Sequence, residues 1–148
     1  MIDARANAQP LTLIVRRTIR ASPDFLFDAW TRPELLVKWW GPEHVTCSAA
    51  EVDLRVGGRY RIANRFRDGE IVWIDGEFEV IDPPRRLVYT WRLGNDPDIE
   101  RVTVRFIWRD GATEVVICHE RVASEARRDA HQAGWEGCLN GLAALAEQ

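Results

Sequence analysis

The segment Trp135–Leu145, WEGCLNGLAAL, decides the fold, because it is the clearest amphipathic helix in the chain. Its apolar residues recur at spacings of three and four, which places them on one helix face: Trp135, Cys138, Leu139, Leu142 and Leu145. Glu136 and Asn140 fall on the opposite side and suit contact with water. Such a helix must bury its apolar face, and most of the preceding sequence is typical of β-strands. We therefore predict a curved antiparallel sheet that wraps around this helix.

Upstream of this helix, the sequence predicts one strand, two short helices and six further strands. The first strand covers Leu11 to Ile19. Ser22 and Pro23 then begin a short helix, because serine caps a helix and proline fits its first position. A second short helix begins at Pro33 and ends before Gly41-Pro42. The remaining strands are predicted at 45–54, 59–66, 71–81, 87–92, 102–109 and 114–120.

Short turns with glycine or proline join these strands, which predicts an antiparallel meander. A β-bulge is expected at Asp75-Gly76. The last helical region begins at Ser124 and is expected to be irregular until Ala130.

The composition indicates a single globular domain, with a tail at residues 1–10 and the domain at 11–148. The 148 residues carry a net charge of −3 without a Lys/Arg block, which disfavours binding to nucleic acid. An export signal and an apolar run long enough to cross a membrane are both missing from the sequence, so no membrane association is expected. The three cysteines form no CxxC motif and fit free thiols in a reducing compartment, so we expect a cytoplasmic protein.

Several short motifs follow one another over nearly the whole chain: FDAW at 27–30, WWGP at 39–42, DLRVGGRY at 53–60, DPPRRL at 82–87 and GW at 134–135. In this order they resemble the SRPBCC (START-like, Bet v 1-like) superfamily, and within it the AHSA1-like branch named after the activator of Hsp90 ATPase. The resemblance implies an α+β helix-grip fold. It also implies a cavity between sheet and long helix, which family members use for hydrophobic ligands such as lipids, polyketides and hormones.

Eleven side chains are candidates for lining such a cavity, because each is predicted to face it or to lie at its mouth: Trp39, Trp40, Tyr60, Asn64, Phe78, Tyr89, Trp91, Phe106, Trp108, His119 and Trp135. Trp73 shares the predicted inward face unless the bulge turns it outward. Of the adjacent pair Trp39-Trp40, one ring could seal the core while the other faces the cavity mouth; alternatively, both are structural plugs. For every aromatic candidate, the alternative is ordinary packing in a filled core.

His119 has two interpretations. It is either a core residue with a buried hydrogen-bond partner or a cavity group that donates to a ligand oxygen. We expect no metal site and no cofactor: neighbouring side chains of a strand, Cys118 and His119, point to opposite faces, and the other histidines lie far apart in sequence.

Three functions stay open. The first is binding of a small hydrophobic or aromatic molecule, and the second is a polyketide cyclase-like enzyme with His119 and a tyrosine as acid–base pair. The third is a stress-response co-chaperone that contacts an Hsp90-type chaperone through the outer sheet face. The sequence shows no counterpart of the separate N-terminal domain of eukaryotic Hsp90 activators, so the resemblance alone does not imply this role. A homodimer is compatible with the sequence.

Overall fold

The structure is a computed structural model and describes residues 9–148, so most of the predicted tail lies outside the described residues. The order of elements matches the predicted one and confirms an α+β helix-grip fold. The elements are β1 (Leu11–Ile19), α1 (Pro23–Thr31), α2 (Pro33–Trp39), β2 (Thr46–Val52), β3 (Arg59–Arg65), β4 (Ile71–Asp82), β5 (Arg86–Leu93), β6 (Glu100–Arg109), β7 (Ala112–Val122) and α3 (Glu125–Ala146).

The strands form one curved antiparallel sheet of seven strands in the order β1-β7-β6-β5-β4-β3-β2. Strands β2 to β7 follow one another as the predicted meander, because short turns join each strand to the next. The first strand lies at the far edge beside β7, so α1 and α2 carry the chain from one edge of the sheet to the other.

The two short helices begin and join as the sequence predicts. The Ser22 hydroxyl accepts a hydrogen bond from the Phe25 backbone N–H at 3.1 Å and caps α1. Trp39 is buried and donates from its indole to the Ala29 carbonyl at 2.8 Å, which fixes α2 against α1.

Helix α3 is regular from Glu125, so the expected irregular start up to Ala130 is wrong. Ser124 caps it, because its side-chain hydroxyl accepts a hydrogen bond from the Arg127 backbone N–H at 3.2 Å. Without this bond, that N–H would have no partner in the first turn of the helix. Most of the predicted apolar face is buried, and Leu145 is partly buried.

Strand β4 differs from the prediction at Asp75-Gly76. Its pairing with β3 is regular there, and the irregularity against β5 lies between Phe78 and Val80. Gly76 instead allows the backbone of β5 to approach β4 closely, because a Cβ at this position would lie 1.9 Å from the Thr90 carbonyl oxygen.

The structure also corrects the predicted inward positions of two tryptophans, one on β4 and one on β6. Ile74 and Phe78 point into the core, so Trp73 lies on the outer face, where the Arg61 guanidinium sits 4.3 Å from its ring centroid. Trp108 is 55% exposed, so its predicted place in the cavity is wrong. It shares the alternation of Phe106 but lies at the end of β6, where it lines an open surface groove.

Two glycines let α3 approach the end of α2 and the following loop. A Cβ at Gly141 would lie 2.4 Å from the Trp39 carbonyl oxygen, and one at Gly137 would lie 2.9 Å from the Pro42 Cα. Backbone atoms cannot yield as side chains can, so glycine at these positions determines how deeply α3 packs.

We expect Gly141→Ala to lower the free energy of unfolding by about 1–3 kcal/mol, because the added methyl forces helix and loop apart. The matched control is Gly134→Ala in the same helix, where a Cβ meets nothing within 4 Å. Alanine's helix propensity should make the control neutral or more stable by up to about 1 kcal/mol. Urea denaturation measures both, and a stabilised Gly141→Ala would contradict the close approach.

Candidate functional site

The space between sheet and α3 is filled in one part and hollow in another. A cleft of about 420 Å³ opens between the first half of α3, the loop after α2 and strands β3 to β5. Deeper inside, a void of about 20 Å³ has room for roughly one water. The cleft is lined by Trp40, Pro42, Val45, Asn64, Phe66, Ile74, Trp91, Leu93, Arg127, Ala130, His131, Gly134, Trp135 and Cys138.

The structure divides the predicted ligand residues into three groups. Four of them line the cleft: Trp40, Asn64, Trp91 and Trp135. Three others line the deeper void, which Trp40 and Trp91 also border: Tyr60, Phe78 and Tyr89. The remaining buried candidates belong to neither wall, and their prediction as ligand-lining groups is corrected: Trp39, Phe106 and His119. The reason is that each packs on other rings behind the walls.

The adjacent residues Trp39 and Trp40 therefore have different structural roles. Trp39 seals the core between α1 and α2, whereas Trp40 forms part of the cleft wall. The Trp40 indole donates to the Asn64 side-chain oxygen at 3.0 Å, and the Asn64 amide donates to the Val72 carbonyl at 3.2 Å. The ring of Trp40 also meets Trp135 edge to face at 5.4 Å, so this part of the wall is held in place from two sides.

A polar cluster, defined here as Asp96, Glu100, His119, Arg127 and His131, borders the cleft. The Glu100 carboxylate is fully buried and accepts from His119 at 2.8 Å, His131 at 2.9 Å and Arg127 at 2.7 Å. Arg127 also donates to Asp96 at 2.7 Å. Burial disfavours the charged form of Glu100, but the three donors outweigh it and hold its pKa well below the usual value.

The positions of the protons in this cluster follow from the hydrogen bond that Trp135 makes. An indole N–H only donates, so the bond of 3.0 Å from Trp135 requires the Nδ1 of His119 to accept. The Nε2 of His119 must then carry the proton that it donates to Glu100. Burial lowers the pKa of His119, although its bond to Glu100 works in the other direction. His119 is thus a neutral ring with both nitrogens occupied.

His131 differs from His119 in having one nitrogen left over. Its ring stacks on that of His119 with centroids 4.4 Å apart, and its Nε2 donates to the ionised Glu100. Within residues 9–148, its Nδ1 has no hydrogen-bond partner. Since the His131 side chain is part of the cleft wall, the cluster meets the cleft through this ring.

The same side chains have the composition of a metal site, which the sequence did not predict. The ligand atoms of Glu100, His119 and His131 all lie within 4.8 Å of one another. However, the bond from Trp135 fixes the proton of His119 on Nε2, the nitrogen that would have to coordinate the ion. The Arg127 guanidinium also donates to the second carboxylate oxygen of Glu100, so this oxygen is already paired with a positive charge. The donor set therefore suits a hydrogen-bonded ion network better than a metal.

The predicted acid–base pair of His119 with a tyrosine does not form among the described residues. The Tyr60 hydroxyl donates to the Thr90 carbonyl at 2.6 Å, and the Tyr89 hydroxyl accepts from the Trp30 indole at 3.1 Å. Burial raises the pKa of both tyrosines. Both hydroxyls are occupied by the core, and His119 is occupied by Glu100 and Trp135.

Sequence reasoning missed Glu100, Arg127 and His131, although signals were present. Glu100 occupies the same alternating face as Val102 and Val104, where an isolated carboxylate needs partners. Arg127 and His131 precede Trp135 at spacings of four and share its helix face. The predicted β6 begins at residue 102, so Glu100 falls outside the alternating pattern. The predicted irregular region 124–130 likewise hides the helical spacing that includes Arg127.

A seven-stranded antiparallel sheet wrapped around a C-terminal helix, with a cleft between them, defines a START-like helix-grip protein. Residues 20–147 match the family model described as Activator of Hsp90 ATPase homolog 1-like protein. The chain therefore belongs to this AHSA1-like family. No curated protein matches it significantly.

Solved structures of similar proteins span almost the same length. A protein from Chromobacterium violaceum superposes with a TM-score of 0.83 at 27% identity, over 93% of this chain and 97% of the other. An AHSA1 protein from Silicibacter pomeroyi gives 0.80 at 24% identity, over 90% and 96%, and supports the fold alone. An Hsp90 activator from Plasmodium falciparum gives 0.59 at 28% identity, over 75% and 73%. Among the described residues, no helix is long and apolar enough to span a membrane.

We expect acidification to destabilise the protein in two stages. The folded state lowers the pKa of His119 from 6.5, so below about pH 6.5 the unfolded chain binds more protons and stability falls. The pKa of Glu100 is lowered from 4.5, so stability falls again below about pH 4.5 as the unfolded carboxyl takes up a proton.

The variant His119→Gln distinguishes the His119 stage from the Glu100 stage, because glutamine keeps a donor and an acceptor but does not titrate. The variant should be less stable than the wild type at pH 7.5, yet lose less stability between pH 7.5 and 5.5. Urea denaturation at a series of pH values gives both slopes. Identical slopes would show that His119 is not held neutral by the fold.

Proposed function

We propose that this AHSA1-like protein binds one small, largely apolar molecule in the cleft beside α3. The observation that carries the proposal is the cleft itself, whose volume of about 420 Å³ lies in the range of small-molecule sites, roughly 300–1,000 Å³. Three indoles, those of Trp40, Trp91 and Trp135, lie in its wall. A mostly apolar wall with a few polar groups is the usual composition of such sites.

The packing around the cleft supports a preformed site. Trp40 and Trp135 are each at least 94% buried and are fixed by indole hydrogen bonds to Asn64 and His119. Phe66 on the cleft rim is 41% exposed, which leaves an apolar surface that a ligand would cover. Because fixed walls need little ordering on binding, most of the apolar contact energy becomes available for affinity.

The wild-type protein should bind the uncharged fluorescent probe N-phenyl-1-naphthylamine saturably with one site per chain. Gly134→Leu should weaken this binding at least about tenfold, because Gly134 lines the cleft and has open space where the new side chain will sit. Ala133→Leu adds the same side chain at the preceding, exposed residue, outside the cleft wall, and should bind as the wild type does. Fluorescence titration measures all three.

Equal binding by the two leucine variants would place the probe elsewhere, and a failure of the wild type to bind would contradict the proposed function. Native mass spectrometry of protein purified from its own host gives an independent result, because a retained adduct of defined mass would identify the natural ligand directly.

A second candidate function is stimulation of an Hsp90-type ATPase. The specific observation is the structural similarity to the Plasmodium falciparum protein described as an Hsp90 activator. The outer sheet face would be the contact surface, and it carries ordered ion pairs such as Glu79 with Arg101 at 2.7 Å.

The test is an ATPase assay of a bacterial Hsp90 with and without this protein. Stimulation that saturates with added protein would support the co-chaperone role, and Glu79→Arg should then reduce it because the charge pattern of the outer face is reversed. Absence of stimulation at saturating protein would exclude direct activation of that Hsp90.

A further inference from the structure

Three nitrogens at one end of the cleft are left without a hydrogen-bond partner within residues 9–148. They are the indole Nε1 of Trp91, the Nη2 of Arg127 and the Nδ1 of His131. All three side chains line the cleft. They also lie close together, because the rings of Trp91 and His131 are 4.9 Å apart and Arg127 precedes His131 by one turn of α3.

These nitrogens differ in what they can bind. The free N–H groups of Trp91 and Arg127 are closed even to a water molecule, so a molecule in the cleft does not reach them. His131 offers an acceptor, because its Nε2 holds the proton donated to Glu100. A hydroxyl group carries a proton that it can donate to this acceptor. A ketone or ether can only accept and would leave Nδ1 unpaired.

Charge excludes a carboxylate from the same place. The single guanidinium of Arg127 already bonds two carboxylates, Asp96 and Glu100, both at 2.7 Å. A ligand carboxylate would bring a third negative charge beside one positive charge and would face the Nδ1 lone pair. The polar group that fits this end is therefore uncharged.

We propose that the ligand is an uncharged aromatic molecule with a hydroxyl group, and that this group donates a hydrogen bond to His131 Nδ1. The aromatic part follows from the cleft wall, where the indoles of Trp40 and Trp135 meet edge to face and present flat surfaces. This inference rests on the proposed function and adds the chemical class of the ligand.

The test compares naphthalene, 2-naphthol and 2-naphthoate at pH 7, each competing with bound N-phenyl-1-naphthylamine. We expect 2-naphthol to displace the probe at least about tenfold better than naphthalene, because its hydroxyl donates to His131 Nδ1, which naphthalene leaves unpaired. We expect 2-naphthoate to compete less well than 2-naphthol. This ligand series needs only the wild-type protein.

The variant His131→Gln keeps an amide donor for Glu100 but removes the Nδ1 acceptor. The advantage of 2-naphthol over naphthalene should fall to less than about twofold, because the hydroxyl loses its acceptor. Gln132→Ala, at the adjacent exposed residue, should keep the full advantage.

The outcomes separate this inference from the proposed function. Equal competition by naphthalene and 2-naphthol, or the tightest binding by 2-naphthoate, would overturn the hydroxyl assignment and leave apolar binding intact. A full 2-naphthol advantage in a folded His131→Gln would also overturn it. If the probe itself does not bind the wild type, the proposed function fails as well.

Discussion

The ionised carboxylate of Glu100 is the constraint on which the rest of the structure depends. A fully buried charge is tolerated only when it is paired and hydrogen-bonded, and Glu100 obtains its three donors from β7 and from the first half of α3. The helix must therefore hold Arg127 and His131 above the sheet at hydrogen-bonding distance. This requirement fixes the helix start without apolar packing beneath it, which explains how a cleft persists beside a well-packed core.

The two halves of α3 are consequently held by different forces. In the second half, Leu139 and Leu142 are almost completely buried, and Gly141 permits contact with the backbone of α2. In the first half, ion pairs and indole hydrogen bonds replace that packing. Trp135 stands between the halves, since its ring packs on other tryptophans while its N–H sets the protons of His119. A rigid frame and an open cleft can thus coexist within one helix.

The sequence predicts the fold well, because its signals are local. The apolar face of α3, the Ser22 and Ser124 caps and the alternation of the strands each depend on neighbouring residues only. The site is harder to predict, because its members meet through tertiary structure. His119 and His131 stack although a strand end, a loop and a helix start separate them. Alternation alone likewise places Trp108 inside, although the cover over the sheet ends before it.

The clustering of tryptophans has an optical consequence. Trp30 lies 4.9 Å from Trp39 and 6.0 Å from Trp135, and Trp40 lies 5.4 Å from both Trp39 and Trp135. Indoles at such separations exchange excitation energy, so light absorbed by any member of this group is shared among all four. Part of the intrinsic ultraviolet emission of the protein will therefore come from rings of the cleft wall even when a ring deep in the core absorbs the photon.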